Sequence, residues 1–217
     1  MATKRLVSVA RGPHDPGTRA GRFHTARGPM PFSGWLRYPA AWRLARRGTT
    51  PERPWIVPAA IGWLRRRIRR DWSILELGAG RSTPWFARRA GAVLSLEDNP
   101  YWHQRTAERL RQLELEVDLR LTAVEEFPSA VAALDERFEL VVVDFLEAPE
   151  VSRIDALRPA REKVRPRGHL VLDDSDRPGY AEAYELLAGW RQRRFTGVKD
   201  GCPEVCETTI FTRPRNN

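Results

Sequence analysis

Cysteine is nearly absent from this chain. There are two in 217 residues, Cys202 and Cys206, both in the stretch CPEVC. That excludes a disulfide-built scaffold. It also excludes a thiolate zinc site, because no second cysteine or histidine cluster supplies the roughly four ligands needed. The pair is read as two reduced thiols. Long apolar runs are missing too. No stretch of about 18 apolar residues occurs, so no transmembrane helix is expected. The N-terminus lacks the apolar core of a secretory signal, and a cytoplasmic address is expected. Acids are missing from one region only. Residues 1–50 hold ten of the 37 bases and one of the 28 acids, Asp15, so the formal charge of +9 belongs to them and the remainder is balanced. Any nucleic-acid reading of the net charge therefore attaches to an appendage.

Residues 1–33 are rich in Gly, Pro and Arg and show no apolar period, so they are expected to be largely disordered. They are read as a solvated tail, or as a tether to anionic lipid, RNA or an acidic partner. Residues 35–47, WLRYPAAWRLARR, mix tryptophan with arginine as membrane-surface helices do, but Pro39 interrupts them. The expected organisation is a basic extension over 1–50 and one folded domain over 51–217.

From Pro54 the pattern changes. A helix is expected after Pro58, with Ile61, Leu64 and Ile68 on one face and Asp71–Trp72 at its end. Alternating units follow. Strands at 73–77, 92–97, 117–122, 138–144 and 168–173 are each followed by a helix, near 82–89, 100–115, 126–135, 151–164 and 179–191. Asn99 is placed to cap the second of these, with Pro100 in its first turn. Two last strands, at 193–198 and 207–213, close the chain. Apolar strands alternating with helices imply an α/β fold, a parallel sheet covered on both faces. In such sheets ligands sit beyond the carboxyl ends of the strands. Those ends are Glu76–Gly80, Glu97–Asn99, Thr122–Glu125, Asp144–Phe145 and Asp173–Asp176.

The stretch LELGAGRSTPWFA (75–87) carries the strongest signal. A dinucleotide fingerprint needs glycine at 83, and Thr83 stands there. A phosphate-binding loop needs Gly-Lys-Ser/Thr, which does not occur. Glu76 precedes the first glycine. A carboxylate repels a pyrophosphate in a partly desolvated site but suits an ammonium. S-adenosylmethionine (SAM) carries an ammonium and a sulfonium and no phosphate, and Gly78 and Gly80 let the backbone approach it. Glu97 ends the second strand, where a carboxylate accepts from both ribose hydroxyls.

LELGAGRST, LSLEDNPYW, FELVVVD and GHLVLDDSDRPGY together resemble the successive motifs of the class I SAM-dependent methyltransferases, over about residues 54–213. The Pro-Trp-Ile segment, the Gly-x-Ser-Thr turn and the Asp-Ser-Asp-Arg-Pro tract are most similar to a bacterial branch implicated in small-molecule or glycan modification. The resemblance implies a Rossmann-like, doubly wound, seven-stranded and mostly parallel sheet, with one antiparallel strand near the C-terminus. It implies that Glu76, Gly78, Ala79, Gly80 and Ser82 line the methionine end of SAM. Glu97 then holds the ribose with Asp98 beside it, and Val124 and Glu125 flank the adenine. Asp144 faces the methionine end and the substrate.

Methyl transfer from a sulfonium is an in-line displacement in which the protein mainly aligns the reactants. A hydroxyl acceptor also needs its proton taken. Asp144, Asp173 and Asp174 end neighbouring strands. They are read three ways: as a Mg²⁺ site similar to that of catechol-type O-methyltransferases, as a metal-free base (Asp144 or Asp173), or as structural acids. Trp55 and Tyr180 are read as substrate-side aromatics or core. Arg177 is read as a partner of Asp174 or of an anionic substrate. His169, inside a strand, is read as a packed histidine, and His103 as an exposed one. The expected activity is methyl transfer to a small-molecule hydroxyl. The alternatives are an RNA methyltransferase recruited by residues 1–50, a cofactor-binding protein without turnover, and, last, a nicotinamide oxidoreductase.

Overall fold

The computed structural model describes residues 24–25, 28–48 and 51–215. Most of the segment expected to be disordered lies outside these residues. The part inside is ordered: β1 (His24–Thr25) pairs antiparallel with β2 (Gly28–Pro29), and α1 begins at Phe32 and runs to Arg47. Pro39 lies inside α1 and does not end it. Arg46 and Arg47 fill the last turn, and Gly48 closes the helix at φ +62°.

Eleven further elements make an α/β unit. They are α2 (Pro58–Arg65), β3 (Ser73–Leu77), α3 (Ser82–Ala87), β4 (Ala92–Glu97), α4 (Pro100–Gln112), β5 (Asp118–Leu121), α5 (Phe127–Ala132), β6 (Phe138–Val143), α6 (Arg153–Lys163), β7 (Val164–Asp173) and α7 (Ala181–Leu186). The hairpin β8 (Arg191–Lys199) and β9 (Cys202–Thr212) follows them. Strand order is β5-β4-β3-β6-β7-β9-β8; β9 runs antiparallel to both neighbours, and the other six strands are parallel. The expected sheet is the observed one. The order reverses between β4 and β6 around β3, which opens a crevice at their carboxyl ends.

Alternation along the strands builds two cores. Leu75, Leu77, Leu94, Leu96, Val141 and Val143 face α5, α6 and α7. Ile74, Val93, Leu140, Val142, Val171 and Ile210 face α2 and α3. Period-two alternation therefore sends Glu76 and Ser95, which are paired across β3 and β4, to the α2/α3 side. Asn99 caps α4 as expected, its Oδ1 accepting from the amides of Tyr101 (3.0 Å) and Trp102 (3.4 Å). Ser152 and Asp155 form a reciprocal capping box on α6. Three elements differ from expectation. α2 ends at Arg65, several residues early, in a turn where Arg67 and Ile68 both donate to the Leu64 carbonyl. The helix expected over 179–191 is a 3₁₀ turn, Pro178–Tyr180, and six residues of α7. β8 takes over at Arg191, after Gly189 at φ +85°.

Candidate functional site

The carboxyl ends of β3, β4, β6, β7 and β8 meet at one edge of the sheet. Gly78 follows β3 at φ +96°, and a Cβ there would lie 2.3 Å from the Asp144 carbonyl oxygen. Only glycine fits, because the chain leaving β6 crosses it. Gly80 is different. A Cβ there would meet nothing within 4 Å, so this glycine faces open space.

Glu76 is fully buried. Its Oε2 accepts from Thr83 (2.7 Å) and Ser95 (2.7 Å), and the Gly80 amide donates to Thr83 Oγ1 at 3.0 Å. Thr83, noted in the sequence only for not being glycine, thus ties the loop to the acid. Glu76 Oε1 is buried and has no hydrogen-bond partner among the described residues. Burial pushes this carboxyl up; Ser82, Thr83 and Ser95 temper the shift. An orphaned, desolvated acceptor costs about 1–3 kcal/mol unless a donor reaches it. The ammonium of SAM is such a donor, and Gly80, joined to this acid through Thr83, faces open space.

Glu97 sits 5% exposed at the end of β4, with Oε1 accepting from the Asn99 amide at 3.0 Å. Burial raises its carboxyl to about 7; the Asn99 amide opposes the rise and Asp98 adds to it. Asp98, beside it, is also raised by burial. Val124 is buried and Glu125 exposed in the 3₁₀ turn Val124–Glu126 after β5. Leu121 pairs with Glu97 across β4 and β5, and the Thr122 amide donates to the Glu97 carbonyl at 3.0 Å, which places this turn on the same rim. The residues expected around SAM are therefore gathered along β3, β4 and β5.

The acids of β6 and β7 have partners the sequence did not disclose. Asp144 is 24% exposed and pairs with Arg153 at 3.0 Å. Arg153, on α6 and itself buried, also donates to the carbonyls of Phe145 (2.8 Å) and Asp173 (2.9 Å), clamping the two strand ends together. Burial raises the Asp144 carboxyl against the pull of Arg153 and Lys199. Asp173 is fully buried; it accepts from the Lys199 ammonium and, at 2.7 Å, from Thr208. Asp174, at φ +52°, accepts from Lys199 at 2.6 Å and Arg177 at 2.5 Å. Burial alone would raise Asp174, but Lys199 and Arg177 hold it well below the usual carboxylate range. Burial alone would lower Lys199, yet Asp173 and Asp174 push it well above.

That ammonium answers the metal question. It stands between Asp173 and Asp174, where a divalent ion would have to bind, and cation repels cation in a buried site. Among the described residues, no three His, Cys, Asp or Glu side chains form a group able to hold a metal. The set Asp144, Asp173 and Asp174 does not fit Mg²⁺.

Trp55 is 49% exposed; its Nε1 donates to the Asp200 carbonyl at 2.7 Å, and its ring lies 5.1 Å from Lys199 Nζ. Tyr180 is 3% exposed and belongs to the core. Arg177 pairs with Asp174, the local ion pair anticipated, and reaches Glu147 at 3.6 Å. His169 is buried edge-on to Trp63 at 4.8 Å, with Nδ1 at 3.0 Å from Thr212 Oγ1; burial, then Arg67 and Arg191, lower it to about 4. His103 is half-buried against β5 instead of exposed. Cys202 and Cys206 are free thiols.

No protein-family model matches this sequence, and no curated protein sequence does. Solved structures do match its fold. The chain is similar to the O-methyltransferase TomG from Streptomyces achromogenes, involved in tomaymycin synthesis and in complex with SAM (23% identity, 82% of this chain, 89% of that one, TM-score 0.57). It is similar to an rRNA methylase from Streptococcus thermophilus (13%, 70% and 93%, TM-score 0.56). It is also similar to the N-methyltransferase NodS from Bradyrhizobium japonicum (16%, 83% and 96%, TM-score 0.51). At these identities the likeness shows the fold, and the three proteins differ in acceptor.

Proposed function

We propose that this chain is a SAM-dependent methyltransferase whose acceptor is a small-molecule hydroxyl. The observation that carries the reading is the buried Oε1 of Glu76, unpartnered among the described residues, on a side chain that Thr83 ties to the loop of the open-faced Gly80. It suits a ligand that brings a cationic donor and no phosphate. SAM supplies that ammonium and, on its sulfonium, an already activated methyl group. Glu76, braced by Thr83 and Ser95, fixes the amino-acid end. Glu97 takes the ribose hydroxyls, Asp98 supports it, and Val124 and Glu125 flank the base. The structural neighbours named as methyltransferases support the methyl-transfer part of this reading.

Asp144 is the acid best placed for the acceptor proton. It is the least buried of the three by side chain, Arg153 fixes its orientation, and burial moves its carboxyl toward the range where a carboxylate takes a proton. Asp173, fully buried, acts as a positioning residue through Lys199. Trp55 presents an exposed ring beside Lys199 against which a planar or sugar acceptor can stack. The loop after β6 is acidic, with Glu147 and Glu150, which disfavours a nucleic-acid backbone there. Residues 51–217 carry the methyl-transfer unit, and the basic excess of 1–50 lies outside it, with α1 packed against its β8–β9 hairpin.

Titration calorimetry on the full chain tests the reading. SAM is expected to bind, and NAD is not. Glu76→Gln keeps the fold and weakens SAM by about 10- to 100-fold, the loss of one charge-assisted hydrogen bond. NAD binding in place of SAM, or an unchanged affinity in Glu76→Gln, sinks it.

A further inference from the structure

We propose that α1 is a docking surface for an anionic lipid bilayer, on which it lies with its outer face down. The inference does not rest on the cofactor reading. The inner face of α1 is small and packed. Gly34 and Ala41 are buried, and Ala41 joins Met30, Val198 and Val205 in a separate cluster against the β8–β9 hairpin. A Cβ on Gly34 would stand 2.5 Å from Met30 Cγ and 3.5 Å from Gly197 Cα, so a side chain there would displace Met30.

The outer face is the reverse. Phe32 is 76% exposed, Leu36 68% and Trp42 42%, and Pro39 is exposed between them. At 100° per residue these positions fall on one side of the helix, opposite Gly34 and Ala41. A folded chain does not ordinarily leave a contiguous stripe of this kind in water. Charge names the occupant. Arg37, Arg43, Arg46 and Arg47 are the ionisable residues of α1 besides Tyr38, and it holds no acid. Arg43 and Arg46 continue the apolar stripe toward the C-terminus, and Arg46 stacks on Trp42 at 4.8 Å. Upstream, residues 1–31 add six bases against one acid.

Apolar side chains flanked by arginine on one exposed helical face match the two-part energetics of interfacial binding: burial in the acyl boundary and attraction to anionic headgroups. RNA would use the arginines and aromatic planes but gains nothing from Leu36 or Pro39. No described helix is long and apolar enough to cross a membrane, so α1 lies on the surface.

Co-sedimentation of the full chain with phosphatidylcholine vesicles, and with vesicles also containing phosphatidylglycerol, tests this. The expected result is about tenfold stronger partitioning onto the anionic vesicles. Phe32→Ser/Leu36→Ser is expected to lose binding to both. Arg43→Gln/Arg46→Gln is expected to lose only the preference for phosphatidylglycerol. All four positions are on the solvent side, and circular dichroism of each variant is expected to match the parent. Failure to bind anionic vesicles overturns the proposal, as does parental binding by Phe32→Ser/Leu36→Ser. So does capture of single-stranded RNA by the parent that such vesicles do not compete away.

Discussion

Two glycines two residues apart do different work. Gly78 has a backbone conformation and a neighbour that admit no side chain; Gly80 has neither constraint. Gly78→Ala is expected to destabilise the fold by about 2–5 kcal/mol, the sum of left-handed strain and overpacking. Gly80→Ala is expected to leave the denaturation midpoint within about 0.5 kcal/mol of parent and to weaken SAM instead. Chemical denaturation and calorimetry on both variants separate the roles. Glu97 predicts a pH dependence. Its folded carboxyl is raised by burial to about 7 from 4.5, so it contributes stability below 4.5 that is lost as pH rises through 7. Ligand affinity runs the other way. Ribose hydroxyls need the ionised acceptor, so SAM affinity is expected to fall by up to about tenfold per pH unit below 7. Glu97→Gln flattens that profile. Both glycines and both acids could be read from sequence because each belongs to a local pattern: a strand, a turn and a capping residue within a few positions.

At the scale of elements, the β8–β9 hairpin is the part that local pattern under-described. It was expected as two closing strands. It also carries Lys199 and Thr208 to Asp173, 26 and 35 residues away in sequence. The cause is register: Asp173 pairs with Thr208 across β7 and β9, and Lys199 pairs with Cys202 across β8 and β9. Lys199→Met is expected to destabilise the protein by about 3–5 kcal/mol, because it leaves a buried carboxylate without its cation. Adding Asp173→Asn removes that charge and is expected to recover most of the loss. Equal stability of the single and double variants in urea would falsify the pairing. Helix α1 departs from its local pattern for the same reason. Pro39 argues locally for a break, yet the helix continues, docked through Gly34 and Ala41 on the hairpin.

Across the whole molecule, charge and architecture divide at different places. The basic excess lies in residues 1–50, yet α1 within them is packed on the sheet edge and not detached from it. Alternating apolar strands and helices, the glycine turn and the acids at the ends of β3 and β4 were determined by sequence alone. Each is a short-range signal, set by side-chain period and by which residues a turn tolerates. The outcome for Asp144, Asp173 and Asp174 was decided only by tertiary structure. Three carboxylates at strand ends look the same in sequence whether a metal, a base or an ion pair awaits them. Arg153 from α6 and Lys199 from β8 turn them into a clamped acid and a neutralised pair, because sheet order brings together charges that chain order keeps apart.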